Sequence, residues 1–417
     1  MTVTAGPLAP PVGRSATVGR YARDYVARVR AGDIGSLPAV LGLLVLCIVF
    51  SIMHPQFLTT GNFANLFTQG AQVTVIAMGL VFVLLLGEID LSAGYTSGVC
   101  AAVLAVLLTW HGQPWFVAVP AALATGVVIG TTLGLLVAKV GIPSFVVTLA
   151  AFLAFQGIML LIIRGGNIIR INDSVILSLA NRNLPPAIGW ALAAVGVGGY
   201  AALQLLSHRR RTSLGLVAPP LVVVIFRVAG LAAIVAAAVY VLNLERARLV
   251  TITSLKGVPI VVPVIVVLLV IGTFVLNRTQ FGRRIYAVGG NREAARRAGI
   301  DVDRVRIFAF MICSTTAAIG GVVAASRGNS VDAGTGGSDV LLLAVGAAVI
   351  GGTSLFGGKG RLVTAVIGGA VVAVINNGMG LMGYSAGVKF LVTGSVLLLA
   401  AGVDALSRRR AGATGAR

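Results

Sequence analysis

The stretch GEIDLSAGYTSG, Gly87 to Gly98, sets two carboxylates, Glu88 and Asp90, among some fifty residues that otherwise carry no charge. NFANLFTQGAQVTVIAMGLVFVLLL precedes it and VCAAVLAVLLTW follows it. A bilayer crossing takes about 20 residues as helix; the upstream flank is long enough, and the downstream one becomes so when it starts at Leu91. Two acids in a short turn between such runs read as the junction of two spans. The whole chain agrees. Hydrophobic residues make up 57% of its 417 residues and charged ones 11%, against about 25% charged in soluble domains. Too little charge is present to cover a water-facing surface. The fold class is therefore all-α, a polytopic membrane protein.

The net charge of +20 suits Lys- and Arg-rich cytoplasmic loops. No aromatic–basic stretch resembles a single-strand binding platform, so a nucleic-acid partner is not expected. Cys47, Cys100 and Cys313 fall inside apolar runs without metal or disulfide spacing. His54, His111 and His208 stand alone, so no metal site is expected. Residues 1–36 are polar and contain Pro and Arg, unlike a cleavable signal. They read as a cytoplasmic tail, with a short amphipathic helix at GRYARDYVARVR.

Twelve candidate spans lie at 37–53, 63–86, 91–110, 115–138, 142–163, 186–206, 219–243, 258–276, 307–326, 339–351, 362–381 and 387–404, the tenth short enough to be re-entrant. A transmembrane region of about 10–12 helices thus occupies 37–404, with a cytoplasmic tail at 405–417. With the N-terminus inside, 23 Lys and Arg fall on the inner side and 7 on the outer. That bias puts both termini in the cytoplasm. Arg227 falls within the seventh expected span. The reading favoured here starts that span near Arg227 and lets the guanidinium snorkel to the interface.

Glycine is patterned. Gly126, Gly130 and Gly134 form GxxxGxxxG on one face of the fourth span, which lets helix backbones approach closely; packing within the subunit is expected. GGTSLFGG, Gly351 to Gly358, repeats the G-x3-L-x2-G spacing of Gly87 to Gly94. Gly352 and Gly357 belong to the same stretch.

The segment TQFGRRIYAVGGNREAARRAGIDVDRVR, Thr279 to Arg306, is the longest internal cytoplasmic loop, taken as 277–306. It spells a short capped helix. Asn291 is a good N-cap, Glu293 suits the first turn and Arg296 and Arg297 the last. Ala294, Ala295 and Ala298 favour helix, and Gly299 can close it in the left-handed region. Asp301 or Asp303 can cap the next span. A compact surface helix joined to two spans can receive a mechanical push from a cytoplasmic partner.

GNREAARRAGI, preceded by FGRRIYAVGG, resembles the cytoplasmic coupling loop of sugar-importing ABC transporter permeases of the ribose/xylose/galactoside branch. GEIDLSAG resembles that family's GGIDLSVG signature, with Glu88 where the family usually has Gly. PQFLTTGNFANLF, PSFVVTLAAFLAFQGI, IGGTSLFGGKG and INNGMGLMG are similar to its other stretches, so the resemblance runs in order from Pro55 to Asp404. The surplus length around 184–257 is similar to D-xylose and multiple-sugar permeases. The resemblance implies an ABC importer permease fold and a transport subunit that is not itself an enzyme. It sits in the bacterial inner membrane, with a cytoplasmic ATP-binding subunit, an extracytoplasmic sugar-binding protein and a second permease copy as partners. ATP and magnesium would be held by the ATP-binding subunit, and no cofactor by this chain. GGTSLFGGKGR lacks P-loop spacing, since Arg361 follows Gly360. Gly289, Gly290, Asn291, Glu293, Ala294, Ala295, Gly299 and Ile300 would carry the coupling.

A neutral sugar needs hydrogen-bonding side chains along its path. Candidates are Gln69, Gln72, Thr74, Ser92, Thr96, Ser97, Gln156, Asn376 and Asn377, each equally able to bond helix to helix. Asp90 is read as a cap on the N–H groups of Leu91 to Ala93. A gating contact of the two acids with the Arg-rich loop at 283–306, or with the partner subunit, is the other reading. The rival function is a secondary transporter driven by an ion gradient. Such proteins usually hold ionisable groups deep in the bundle.

Overall fold

Prolines and capping side chains set most helix limits in the computed structural model, which describes residues 36–164, 166–216, 218–247 and 254–413, with Gly19 and Arg23 ahead of them. The rest of the expected N-terminal amphipathic helix lies outside the described residues. α1 (Leu37–Met53) leads through one 3-10 turn to α2 (Thr60–Leu85). α3 (Ala93–Ala105) and α4 (Trp115–Leu135) each run on through a π-turn, to Trp110 and Val140. Next come α5 (Ser144–Ile162), β1 (Ile169–Arg170), α6 (Ser174–Asn181) and β2 (Asn183–Leu184). α7 (Pro186–Ser213) and α8 (Leu221–Asn243) form a hairpin. β3 (Val258–Pro259) precedes α9 (Val261–Arg278), α10 (Gln280–Gly290) and α11 (Arg292–Arg297). α12 (Val302–Gly328), β4 (Ser330–Val331), α13 (Ser338–Ile350), α14 (Leu362–Leu381) and α15 (Ala386–Ala413) follow. The strands form two antiparallel ribbons, with Ile169 opposite Val331 and Asn183 opposite Pro259.

Each expected span has its helix. Among the described residues nine are long and apolar enough to cross a membrane, and three apolar helices are shorter, at Leu37–Met53, Ser338–Ile350 and Ala386–Leu399. The limits differ where polar residues extend a helix. α7 continues through HRRR to Ser213, because arginine is a good helix former. α12 begins at Val302 because Asp301 accepts the Arg304 N–H at 3.0 Å. α8 begins at Leu221, behind Pro220, six residues before Arg227 rather than beside it; Arg227 is exposed on its surface.

The bundle has two distinct ends. Leu85 of α2, the 86–92 turn, the starts of α5, α12 and α14, and α10–α11 gather at one, here the loop end. The ribbons and α6 gather at the other, where Ser326 Oγ of α12 accepts the Ala180 N–H at 2.9 Å. Helix alternation returns both the start of α1 and the end of α15 to the loop end.

α2 and α12 form the centre. The apolar stretch of α2 from Val73 to Leu85 is buried on every face, as expected of a helix hydrophobic all round. α12 presents small residues to its neighbours, and α4 crosses it on the glycine stripe. A Cβ on Gly126 would lie 2.8 Å from the Ser314 carbonyl oxygen. One on Gly130 would lie 2.5 Å from that of Phe310, and one on Gly134 2.7 Å from Ile307 Cα. The stripe thus packs within the subunit. Gly130→Ala should therefore destabilise the fold by roughly 1–3 kcal/mol through overpacking. Gly157→Ala on α5, where a Cβ meets nothing within 4 Å, should be neutral or stabilising by up to about 1 kcal/mol. Thermal unfolding in detergent micelles separates the two.

Candidate functional site

The 277–306 segment folds into two helices, not one. α10 was not anticipated as a helix, yet Phe281, Ile285 and Val288 recur at i, i+4 and i+7. Thr279 caps it through the Gly282 N–H. Ile285 and Val288 are buried, while Arg283 and Arg284 are exposed. α11 is the expected capped helix: Asn291 Oδ1 accepts the Ala294 N–H at 2.9 Å and Gly299 adopts φ +80°. Glu293 pairs with Arg296 and Arg297 at 3.9 and 3.7 Å. These exposed pairs are worth about 0.3–0.5 kcal/mol each. Ala295 is buried, Ile300 half-buried, and Glu293 and Ala294 are exposed.

The glycine-rich stretches converge on α10. The Gly358 N–H donates to the Leu85 carbonyl at 2.8 Å. A Cβ on Gly289 would stand 1.8 Å from that same oxygen, and one on Gly357 would stand 2.8 Å from the Gly289 carbonyl and 2.9 Å from Gly87 N. Gly87 and Gly357 take positive φ, +73° and +85°, which a side chain would strain. Thus Gly87, Gly289, Gly357 and Gly358, far apart in sequence, form one backbone joint. Tyr286 OH bonds the Gly360 carbonyl at 2.8 Å across it; burial raises the Tyr286 pKa, with Arg361 pulling the other way. Gly351 packs on the Thr364 carbonyl, joining the end of α13 to the start of α14, with Gly352 beside it at φ +109°. Gly290, next to the joint, faces open space.

The two acids have different settings. Glu88 Oε1 lies 2.5 Å from Arg306 Nη2 and 3.8 Å from Arg292 Nη1. Arg306 is buried and also donates to the Val137 carbonyl at 3.1 Å. Burial and the neighbouring Arg306 lower the Arg292 pKa, and Glu88 acts against them. Asp90 is fully buried. Its Oδ1 accepts from Ser92 N at 2.9 Å and Ser92 Oγ at 2.6 Å. Ser92 occupies the N-cap position of α3, and the Asp90 carboxylate caps from two residues earlier, on an N–H group within the expected Leu91 to Ala93.

The polar path candidates divide into three groups. At the ribbon end, Asn377 Nδ2 donates to Asn62 Oδ1 at 2.8 Å and to Gln69 Oε1 at 3.2 Å, and Asn62 Nδ2 returns a bond to Asn377 Oδ1 at 2.8 Å. Asn62 was missed from sequence. Asn376 and Gln72 are half-buried nearby on the same helices, α14 and α2. Thr74, Ser92, Thr96 and Ser97 are buried in helix packing. Gln156 stands apart, exposed on α5.

A further feature escaped the candidate residues. After β4 the chain runs non-helically through 332–337 and descends along α3. The Gly336 and Thr335 carbonyls there would lie 2.8 and 2.2 Å from a Cβ on Gly94 and Gly98. Gly98 stands 11 residues from Thr109, which bonds the Arg170 carbonyl of the ribbon end, so the descent covers about 16 Å. α13, only 13 residues long, supplies the rest of the crossing. Non-helical backbone at membrane depth is tolerated where protein covers it or a cavity receives it. Asp332, Gly334, Ser338 and Asp339 are exposed. The polar run GNSVDAGTGGSD beside a short apolar stretch was the available signal.

A sequence profile for the branched-chain amino acid transport system / permease component family matches residues 62–401. The chain belongs to this permease family. It is similar to the xylose transport system permease protein of Escherichia coli, at 37% identity over 356 residues, 85% of this chain and 87% of that one. The xylose transport system permease protein of Haemophilus influenzae is 32% identical over 374 residues, 89% and 96% of the two chains. The ribose import permease protein of Bacillus subtilis is 31% identical over 373 residues, 89% and 94%. No solved structure matches. This permease is a multi-pass membrane protein, and its relatives are named as transport proteins rather than enzymes.

The joint gives a matched test. Gly289→Ala should push α10 off the Leu85 carbonyl and loosen the helix, so that trypsin cuts at its exposed Arg283 and Arg284 several-fold faster. Gly290→Ala, which meets nothing within 4 Å, should leave cleavage at wild-type rate. Equal cleavage of both would contradict the backbone joint.

Proposed function

We propose that this permease is the membrane-spanning subunit of an ATP-driven importer of a monosaccharide, a pentose of the xylose type, delivered by an extracytoplasmic binding protein. The joint at Gly289 is the observation that carries the reading. It ties α10 directly to the end of α2 and to the loop before α14, so force on the exposed face of α11, which follows α10 through Asn291, reaches the spans through α10. A cytoplasmic ATP-binding subunit, which holds the ATP and magnesium, bears on Glu293 and Ala294 at that face. The Lys and Arg bias supports a cytoplasmic loop end, and with it both termini on the cytoplasmic side of a bacterial inner membrane. The relatives named for xylose and ribose support the sugar class. A second copy of the chain completes the pathway.

The sugar path runs along the chain break at 332–337 and the exposed start of α13. Discontinuous helices are where transporters commonly bind substrate. Backbone amides and carbonyls freed from helix suit a neutral polyol, and the amide cluster of Asn62, Gln69 and Asn377 lies toward the outer end.

Reconstitution in proteoliposomes tests this reading. Xylose uptake should need the permease, an ATP-binding subunit, a binding protein and ATP together, and the permease alone should neither hydrolyse ATP nor move sugar. Sugar uptake by the lone chain under a proton gradient would overturn it in favour of a secondary transporter. A second measurement addresses coupling. Glu293→Lys combined with Ala294→Asp should abolish co-purification of the ATP-binding subunit and cut uptake at least about tenfold, as loss of interface anchors does, with membrane insertion intact.

A further inference from the structure

Glu88 stands between two arginines on different elements. Arg306 belongs to the first turns of α12 and its side chain is 7% exposed; Arg292 opens α11 and its side chain is 47% exposed. The turn that carries Glu88 is clamped beside it. The Ile89 N–H donates to Ser144 Oγ at 3.3 Å, and Thr148 Oγ1 donates to the Ile89 carbonyl at 3.2 Å. Glu88 and Arg306 are thus a fixed pair, and Arg292 is the adjustable partner.

α11 has little else to hold it. Its remaining ion pairs stay within the helix, and Ala295 is its one buried residue. Among the described residues, Glu88 with Arg292 is the one ion pair that joins α11 to the spans. A helix of six residues is far below the length that sustains itself. A recess of about 510 Å³ lies under it, lined by Glu88, Arg292, Arg296, Asp303 and Arg306 among others.

We propose that Glu88 is a positioning residue for coupling: anchored by Arg306, its carboxylate draws Arg292 and seats α11 against the 86–92 turn. A push on α11 then reaches the junction of α2 and α3 as well as the glycine joint. The inference rests on the reading of α11 as the surface that meets the ATP-binding subunit. The Arg292 contact is half-exposed and weak enough to break and re-form in each cycle. The Arg306 contact is not, since removing its partner leaves a buried cation uncompensated.

Arg292→Gln separates the two legs, because it leaves Glu88 with Arg306. In the purified chain, amide hydrogen exchange at 294–298 should quicken about twofold to fivefold, the range of an exposed ion pair, while exchange at 308–318 stays unchanged. Glu88→Gln should quicken 294–298 at least as much, and exchange around Arg306 as well, because it strands that buried cation; adding Arg292→Gln to it should quicken 294–298 no further. Arg292→Lys should restore wild-type exchange. In the assembled importer, sugar moved per ATP should fall by a similar factor in both single variants. Wild-type exchange in Arg292→Gln, or additive effects in the double variant, would falsify the positioning role. If exchange responds as expected but the wild-type complex moves no sugar with ATP, the functional reading fails and the positioning role stands.

Discussion

One backbone can lie directly on another only where a side chain is missing, and this permease depends on that constraint at three depths. Lipid gives helices no hydrophobic reason to associate, so close approach and dispersion must hold them. Midway, Gly130 lets α4 ride on the Phe310 carbonyl and fixes α12 at the centre. Along α3, Gly94 and Gly98 receive the non-helical 332–337 segment, which could not otherwise be kept at membrane depth. At the loop end, Gly289 lets α10 rest on the Leu85 carbonyl while the Gly358 N–H satisfies that oxygen. The same device thus builds the core, holds open a break in a helix, and joins a surface helix to the spans.

Charge follows a complementary rule. The buried Arg306 has one carboxylate partner, Glu88, and one carbonyl partner, Val137. Even with both contacts the Arg306 Nε has no hydrogen-bond partner, so losing either would leave still more of the guanidinium unsatisfied. For Glu88 the pairing is the contact with the arginines of 283–306 that sequence offered as one of two readings. A glycine at this position would offer no carboxylate to Arg306. Asp90, two residues on, turns inward to Ser92 instead, so the two acids of one turn serve different neighbours.

Much of this was legible in the chain. The apolar runs located every apolar helix because their periodless hydrophobicity has few alternatives, and Asn291, Glu293 and Gly299 spelled α11 through local capping chemistry. What escaped depended on partners remote in sequence. Asn62 and Asn377 are 315 residues apart, and nothing local to either announces a reciprocal amide pair. The likeness of Gly87–Gly94 to Gly351–Gly358 was visible, but their meeting at Gly289 was not. α10 was readable in principle, yet its arginines and terminal glycines masked an amphipathic helix. The break at 332–337 was hidden for a different reason: a polar, glycine-rich run normally signals a surface loop, and only close packing on α3 carries this one inward.

The α7–α8 hairpin shows where the chain's own packing constrains least. α7 and α8 pack on each other, but only 6% and 11% of their most apolar stretches are buried, against 83% for α2. Their surroundings are supplied by the bilayer, which accepts apolar side chains of almost any shape. Adding such a hairpin therefore demands no complementary change in the core. The joint, the helix break and the Glu88 cluster have no such freedom, because each is a contact between fixed backbones or buried charges. Variation in length among related permeases is expected to concentrate where lipid is the neighbour, and constraint where the neighbour is another part of the chain.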